Sequence, residues 1–374
     1  MEFSQWRAEF VDRERYINFN HSGIASVPRR VVRAVTEFIQ QATAVENGIH
    51  GGWKNRTDAV RASFAQLIGA HASEIAFIDN TSHGLSLVAA GRAWKAGENV
   101  VAIDGDYPSN VYPWWGLRRF DVETRMVSTR GGRFGVDDIR AAVDARTRVV
   151  AVSAVDWQTG FRCDLQAIGA FCREHSLLFV VDGIQAVGAL PIDVERDLID
   201  CMAVGGHKWL LSVEGCGCLF VSQRVLDQLQ PLQLGWKSVT NADNHLPYHL
   251  TLRPDAARFE SGSPAHLNVH ALGAALDLLL EVGATAVRQR ILALTTALSD
   301  GLRRRGAEVI SPWGESERSG ILTFRSKMDP ARVTQAMEAK GIICRVRAGG
   351  VRLAPHFYNN EDDIERFFSV LDAA

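Results

Sequence analysis

Apolar residues occur along the first part of the chain in short runs that alternate with amphipathic segments. The apolar runs lie at residues 74–78, 99–103, 147–155, 177–182 and 200–204. The segments between them include 82–94 and 164–175, where the apolar residues recur with helical spacing. Short strands joined by helices of this length predict a parallel or mostly parallel sheet with helices on both faces. The sequence therefore predicts an α/β fold for this part.

The pattern changes near residue 255. Helical periodicity with few breakers runs from Pro264 to about Arg305. Beyond that point the predicted strands are 321–324, 342–346 and 351–355, and the predicted helices are 329–340 and 360–372. This order predicts a smaller α+β domain that packs on long helices. We therefore expect a large domain over residues 16–262 and a small domain over residues 263–374 together with the N-terminal residues 1–15.

Composition narrows the classes of function. The chain has 374 residues, of which 47% are hydrophobic and 22% are charged, as in globular proteins with one or two domains. With 41 Lys and Arg against 43 Asp and Glu, no basic surface for nucleic acid or for an anionic membrane is expected. The charged N-terminal segment and the absence of a long apolar stretch predict a cytoplasmic protein. The six cysteines form no C-x-x-C pair and are expected to be reduced structural thiols.

Charged residues stand where the predicted strands end, which is where ligands bind in parallel sheets. Asp182 ends one apolar run, and Lys208 follows the next one, within the glycine-containing stretch CMAVGGHKWLL. Taken alone, Asp182 could cap a helix and Lys208 could extend from a loop into solvent. Together they suit a cofactor that has a cationic ring nitrogen for the acid and a carbonyl carbon for the amine. Pyridoxal 5′-phosphate has both groups.

Two further stretches could hold the rest of this cofactor. The turn before the helix at 82–94 offers Thr81, Ser82 and His83, whose hydroxyl and backbone N–H groups at a helix start suit a phosphate. Tyr107 follows the run 99–103 and could stack on a pyridine ring. Each also has an ordinary structural interpretation, as a helix cap and as a packed tyrosine. The combination predicts a site for pyridoxal phosphate.

At these residues the chain resembles the class V aminotransferase family of fold-type I pyridoxal-phosphate enzymes. That family includes cysteine desulfurases, selenocysteine lyases, isopenicillin N epimerase and kynureninase. The most specific match is 182–211, which resembles the family's D-x-x-Q and G-H-K motifs. The resemblance implies a large domain with a seven-stranded sheet. It also implies that Lys208 forms the Schiff base and moves protons at the substrate's α-carbon. Asp182 is then expected to hold the pyridine nitrogen, Gln185 to approach the phenolic oxygen, and His207 to approach the phosphate.

Two C-terminal matches extend the implied site. Residues 258–266 resemble a segment that family members contribute to the partner subunit's phosphate site, with Ser263 in place of the usual threonine. This implies a homodimer with its active sites at the interface. Residues 351–364 resemble a family segment in which Arg352 would clamp the carboxylate of an amino-acid substrate, a task that suits a bidentate guanidinium.

Departures from the family pattern concern the choice of reaction. Desulfurases carry a nucleophilic cysteine shortly before the carboxylate-binding arginine, but residues 345–352 contain none. Cys344 lies just upstream in an apolar run and is expected to be a buried strand thiol, so persulfide-forming desulfuration is disfavoured. Ala154 and Trp157 stand where many relatives have polar residues, which implies a more apolar substrate pocket. His21 is also expected near the substrate.

Several reactions remain open. Loss of the α-proton can lead to transamination, to expulsion of a β-substituent or to epimerisation, depending on where the proton or the leaving group goes. We expect an amino-acid lyase, with carbon–sulfur β-elimination as a special case, or an aminotransferase. An epimerase is an alternative, and so is a non-catalytic protein on this fold. A nucleotide-binding dehydrogenase is remote because the chain lacks the G-x-G-x-x-G fingerprint.

Overall fold

The structure is a computed structural model that describes residues 3–11, 15–44 and 49–373. Its helices are α1 (Ser4–Arg7), α2 (Arg29–Ala44), α3 (Ile49–Ile68), α4 (Thr81–Gly91), α5 (Tyr112–Trp115), α6 (Val136–Ala142), α7 (Leu165–Glu174), α8 (His266–Val282), α9 (Ala284–Arg304), α10 (Pro330–Ala339) and α11 (Glu361–Ala373). Its strands are β1 (Ile17–Asn18), β2 (Ile75–Ile78), β3 (Asn99–Ile103), β4 (Glu123–Val127), β5 (Thr147–Ser153), β6 (Leu178–Asp182), β7 (Cys201–Gly205), β8 (Gly217–Val221), β9 (Glu308–Val309), β10 (Leu322–Arg325), β11 (Ile342–Ile343), β12 (Arg345–Arg347) and β13 (Gly350–Leu353).

A seven-stranded sheet forms the centre of the molecule. Its strand order is β2-β8-β7-β6-β5-β3-β4, and β8 runs antiparallel to both of its neighbours while the other pairs are parallel. The predicted α/β fold with a mostly parallel sheet is therefore confirmed. The predicted strand at 99–103 has the bounds of β3, and the other predicted strands of this sheet differ from the observed ones by one or two residues at their ends.

The sheet is buried on both faces because successive side chains of a strand point to opposite sides. In β3, Val101 and Ile103 pack into a core that includes residues of α3, α7 and α8. Val100 and Ala102 pack into a second core, which includes residues of α4 on the opposite face. This arrangement explains why the strands read as continuous apolar runs rather than as alternating ones. It also brings the carboxyl ends of β3, β5, β6 and β7 to one edge, where the connecting turns carry the predicted site residues.

The C-terminal region contains a four-stranded antiparallel sheet in the order β12-β13-β10-β9. Its core joins residues of α9, α10 and α11 with Ile17 and Phe19 from the start of the chain. By contrast, the apolar residues of α8 belong to the core of the large sheet. The predicted domain boundary at residue 263 stays a prediction. A boundary there would assign α8 to the small domain, although this helix packs on the large sheet.

One predicted strand is divided in the structure. Residues 342–346 form the end of one sheet and the start of another, because β11 pairs in parallel with β1 whereas β12 pairs with β13. Cys344 lies between the two strands and points into the C-terminal core. It is buried as expected, but it does not lie within a single strand.

Helices α8 and α9 meet at Gly283, whose φ of 85° lets the chain turn between them. Within the described residues no single helix is long and apolar enough to cross a membrane, and only the pair α8 and α9, bent by 82°, reaches that length and hydrophobicity when joined. Burial of ten α8 residues in the protein interior accounts for the apolar character of that helix.

Candidate active site

Asp182 is the last residue of β6 and is buried between neighbouring strands. One carboxylate oxygen accepts the N–H of Ile184 at 2.9 Å, and no other described residue donates to this carboxylate. Burial raises the pKa of Asp182, the nearby Asp106 adds to the increase, and Lys208 opposes it. The side chain therefore has a free acceptor oxygen whose negative charge would be stabilised by a cationic donor.

Lys208 follows β7 after one short turn and points toward the same edge of the sheet. Its Nζ lies 5.5 Å from the centroid of the Tyr107 ring. Burial lowers the pKa of Lys208, Asp182 opposes the decrease, and Arg352 and Arg347 add to it. A lysine with a lowered pKa carries a neutral amine for more of the time near neutral pH, which makes it a better nucleophile and base.

Two aromatic residues stand beside this lysine. The rings of Tyr107 and Trp157 meet edge to face with centroids 5.4 Å apart, and Trp157 donates from Nε1 to the carbonyl of Gly105 at 3.2 Å. Tyr107 is 41% exposed, so part of its ring is accessible to a flat ligand. The structure thus brings three predicted residues, Tyr107, Trp157 and Lys208, to one place.

The predicted phosphate turn is the N-terminus of α4. Asn80 caps the helix by accepting the N–H of His83 at 2.9 Å. The hydroxyls of Ser82 and Ser109 are 2.6 Å apart, and the His83 ring contacts Gln233 at 3.2 Å. The free N–H groups and the dipole at this helix start favour an anion.

Gly205, at the end of β7, connects this turn to the lysine segment. Its N–H donates to the Thr81 hydroxyl at 3.0 Å. A Cβ at this position would lie 3.2 Å from that hydroxyl and 3.3 Å from Cε1 of His207. The glycine therefore allows Thr81 and His207 to approach each other, as a shared phosphate site requires. Burial lowers the pKa of His207, and the positive charge of Lys208 lowers it further.

The amide of Gln185 is already engaged within the protein. Its nitrogen donates to the carbonyl of Ser22 at 2.9 Å, and its oxygen accepts the indole N–H of Trp209 at 3.0 Å. One amide hydrogen is left for another acceptor. The predicted approach of Gln185 to the cofactor's phenolic oxygen stays a prediction that depends on this single hydrogen.

Arg352 lies in β13 and is buried. It donates to the carbonyl of Trp157 and, at 3.3 Å, to the side-chain oxygen of Asn20. Its Nε has no partner, and no carboxylate in the described residues forms an ion pair with it. Burial lowers its pKa to about 9, and the charge of Arg347 contributes. A buried guanidinium without a counter-ion suits the role of carboxylate clamp.

His21 is fully buried, and both of its ring nitrogens have partners. Nδ1 donates to the carbonyl of Ala354, and Nε2 faces the Tyr358 hydroxyl, each at 2.8 Å. Burial lowers the pKa of His21 to about 4, so the ring is neutral at physiological pH. These bonds tie the N-terminal segment to the C-terminal sheet. The predicted contact of His21 with substrate stays a prediction, and only the ring carbons are available for it.

Ser263 lies in the loop before α8. It lines a cavity of about 180 Å³ that His83 and Glu260 also line. Glu260 forms an ion pair with Arg61 at 2.6 Å and accepts the N–H of Phe77, so its charge is balanced within the chain. The predicted role of Ser263 in a partner subunit's phosphate site stays a prediction.

Three site residues were missed by the sequence interpretation. Asp106 is partly buried, acts on Asp182 through its charge, and accepts from Ser153 and Asn110. Its position after the β3 run could have indicated it. Asn20 orients Arg352 from more than 300 positions away in the sequence, so no local pattern could have found it. Arg347 acts on both Lys208 and Arg352 through its charge. Arg347 belongs to no recognisable sequence motif, so the sequence did not indicate it.

These residues fit pyridoxal phosphate. The free oxygen of Asp182 matches a protonated ring nitrogen, the amine of Lys208 matches the carbonyl carbon, and the exposed face of Tyr107 matches the ring. The N-terminus of α4, with Thr81, matches the phosphate. Within the described residues no group of His, Cys, Asp and Glu could hold a metal ion.

Comparison with known proteins agrees with this assignment. Residues 17–367 match the family model of aminotransferase class-V proteins. A probable cysteine desulfurase of Methanothermobacter thermautotrophicus is 28% identical over 96% of this chain and 94% of its own length. An uncharacterized aminotransferase of Bacillus subtilis, YcbU, is 27% identical over 83% of each chain.

Solved structures share the fold. The apo structure of a cysteine desulfurase from Thermococcus onnurineus has a TM-score of 0.90 at 22% identity and covers 100% of this chain and 98% of its own. The cystine C-S lyase C-DES, in complex with its reaction product cysteine persulfide, has a TM-score of 0.89 at 23% identity over 97% of this chain and 99% of its own. The family model matches most of the sequence and therefore identifies the family. The chain belongs to the aminotransferase class-V family and is an enzyme that uses pyridoxal 5′-phosphate.

Proposed function

We propose that this enzyme acts at the α-carbon of an amino acid as a lyase that eliminates a β-substituent, with cleavage of a carbon–sulfur bond as a special case. The observation that carries the proposal is that Lys208 lies within electrostatic range of both Asp182 and Arg352, and that Arg352 has no ion-pair partner among the described residues. These are the groups that cofactor activation and binding of an amino-acid carboxylate require. An aminotransferase remains the runner-up, because both reactions begin with loss of the α-proton.

Each residue has a defined task in this proposal. When bound, pyridoxal phosphate supplies an electron sink for the negative charge that develops at the α-carbon. Arg352 binds the substrate carboxylate and so orients the α-hydrogen toward Lys208. The neutral amine of Lys208 then removes that proton. Asp182 holds a proton at the ring nitrogen, and Tyr107 covers one face of the ring.

Cysteine desulfuration is a second candidate, because curated relatives carry that name. The similarity to these relatives does not support the expectation that desulfuration is disfavoured. All six cysteines are buried in the structure, and burial raises the pKa of Cys344 to about 12. Because residues 345–352 contain no cysteine, any desulfuration would need a sulfur acceptor from outside that segment.

The test uses the purified protein loaded with pyridoxal phosphate and a panel of amino acids. Pyruvate or another keto acid, ammonia, sulfide, racemised amino acid and the pyridoxamine form of the cofactor are measured in parallel. Lyase activity predicts keto acid and ammonia in equal amounts, without the pyridoxamine form. Build-up of pyridoxamine phosphate would identify an aminotransferase instead. Lys208→Ala is the control, and it should lose the visible absorption band and all products.

Subunit association and location are part of the same proposal. We infer a homodimer in the cytoplasm, in which Ser263 reaches the partner subunit's phosphate site. Support comes from the exposed apolar side chains of Leu246, Tyr248 and Leu250, which are 65%, 91% and 70% exposed and would be covered by a second subunit. Sedimentation analysis should give twice the monomer mass. A stable monomer with full activity would contradict the dimer.

A further inference from the structure

We propose that the substrate of this enzyme carries a second anionic group, on its side chain, and that Arg347 binds that group. The inference rests on the proposed function, in which Arg352 binds the α-carboxylate. It adds a substrate class, namely amino acids whose β-substituent, the leaving group, carries an anionic end such as a carboxylate.

Arg347 lies in the hairpin formed by β12 and β13, here called the arginine hairpin (residues 345–353). Arg347 pairs with Gly350 across a two-residue turn, and Arg345 pairs with Arg352. Paired residues, and residues two apart on one strand, share a face of an antiparallel ladder. The side chains of Arg345, Arg347 and Arg352 therefore leave the hairpin on the same face.

Two of these arginines contact the same residue, Trp157. The guanidinium of Arg347 lies 5.5 Å from the centroid of the Trp157 ring, and Arg352 donates to the carbonyl of the same tryptophan. Trp157 in turn contacts Tyr107, which lies against Lys208. Arg347 thus stands at the site where the chemistry takes place, and its charge influences the pKa of Lys208.

The described residues provide no ion-pair partner for the positive charges at this site. Among the ion pairs of the described residues none involves Arg347, Arg352 or Lys208. Arg347 donates from Nη1 to the carbonyl of Val346 at 2.8 Å, while its Nε is buried without a partner. The nearby Asp156 forms no ion pair with these groups in the described residues, and its Oδ1 accepts three bonds from Gln158 and Thr159. An anion from solution is the partner that would satisfy the buried Nε.

The spacing of the two arginines fits a small dianion. Diagonal neighbours of an antiparallel ladder have Cβ atoms about 7–8 Å apart, and long side chains can close on one ligand from that separation. An amino acid whose β-leaving group carries a short anionic end can bridge the two guanidinium groups. A substrate with an apolar side chain would leave Arg347 unsatisfied, and sites of this kind discriminate strongly against such analogues.

The test compares succinate with butyrate, which have the same number of carbons but differ in one carboxylate. Binding to the cofactor-loaded enzyme is measured by isothermal titration calorimetry. We expect succinate to bind roughly ten- to one-hundredfold more tightly than butyrate, as charged hydrogen bonds allow. Arg347→Gln should remove this preference, because the affinity for succinate should fall much more than the affinity for butyrate. Arg345→Gln is the matched control, because Arg345 is an exposed arginine on the same face, and this variant should keep the preference.

Other outcomes separate the inference from the proposed function. Equal affinity for succinate and butyrate, or equal losses in the two variants, would overturn the role of Arg347 even if neutral amino acids are turned over. Failure of the wild-type protein to take up cofactor would overturn the proposed function as well. Arg347→Lys keeps the charge but not the fork, so it should give an intermediate preference. Circular dichroism checks that each variant is folded.

Discussion

The active site joins two regions that handle charge in different ways. At the edge of the seven-stranded sheet, Asp182 and Lys208 have opposite charges, and each moderates the effect of burial on the other. In the arginine hairpin, Arg347 and Arg352 have like charges and no carboxylate partner among the described residues. The sheet edge is therefore largely balanced within the chain, whereas the hairpin needs an anion from outside. We infer that the first region serves the cofactor and the second serves the substrate.

The strongest test of the sheet edge is Asp182→Asn. Asparagine has the same shape but cannot hold a positive ring nitrogen by charge, so turnover should fall roughly 10²- to 10³-fold. Substrate binding at the hairpin should change little, and this can be measured by the affinity for succinate. If turnover were unchanged, the division between the two regions would be wrong.

A second prediction concerns the junction of the two regions, where His21 is held neutral. Folded His21 takes up a proton only near pH 4, whereas the unfolded side chain does so near pH 6.5. The unfolded chain therefore binds an extra proton as pH falls between these values, and the native state loses about 3 kcal/mol of stability from this residue. Urea unfolding at several pH values should show a smaller loss in His21→Asn. The variant His71→Asn, at an exposed histidine, should behave like the wild type.

Arg352→Lys tests the hairpin itself. Lysine keeps the positive charge but loses the planar fork, so KM for an amino acid should rise roughly tenfold. The visible spectrum of the bound cofactor should be unchanged, because the sheet edge is intact. A shifted spectrum with an unchanged KM would reverse the roles that we assign to the two regions.

The smallest effect is expected for Asn20→Ala, which removes one hydrogen bond to Arg352. Loss of a single bond of 3.3 Å should raise KM by about threefold and leave turnover unchanged. Asn18→Ala is the comparison variant. Asn18 lies on the same segment, donates to Ile24 and Ser26 and accepts the backbone N–H of Asn20 at 2.7 Å, but it has no bond to Arg352. An equal effect in both variants would indicate a general disturbance of the segment.

The sheet edge and the arginine hairpin differ in how far they could be predicted from sequence. The strands of the large sheet are continuous apolar runs, and residues after such runs meet at one edge, so Asp182 and Lys208 could be found from the pattern alone. The proposed carboxylate clamp, Arg352, was predicted only through the family resemblance. Arg347 and Asn20 could not be found, because their importance depends on the register of a hairpin and on a contact between distant segments. The division of residues 342–346 between two sheets was missed for the same reason.

The turn of the arginine hairpin has a consequence for how this enzyme can evolve. It consists of Ala348 and Gly349, both with positive φ, which fixes the register of β12 against β13. Insertion of one residue there would shift the pairing by one position and turn the side chains of β12 to the opposite face. Asp182, Lys208 and the phosphate turn would be unaffected. A change in loop length at this point is therefore a simple route by which descendants of this gene could acquire a new substrate while retaining the cofactor.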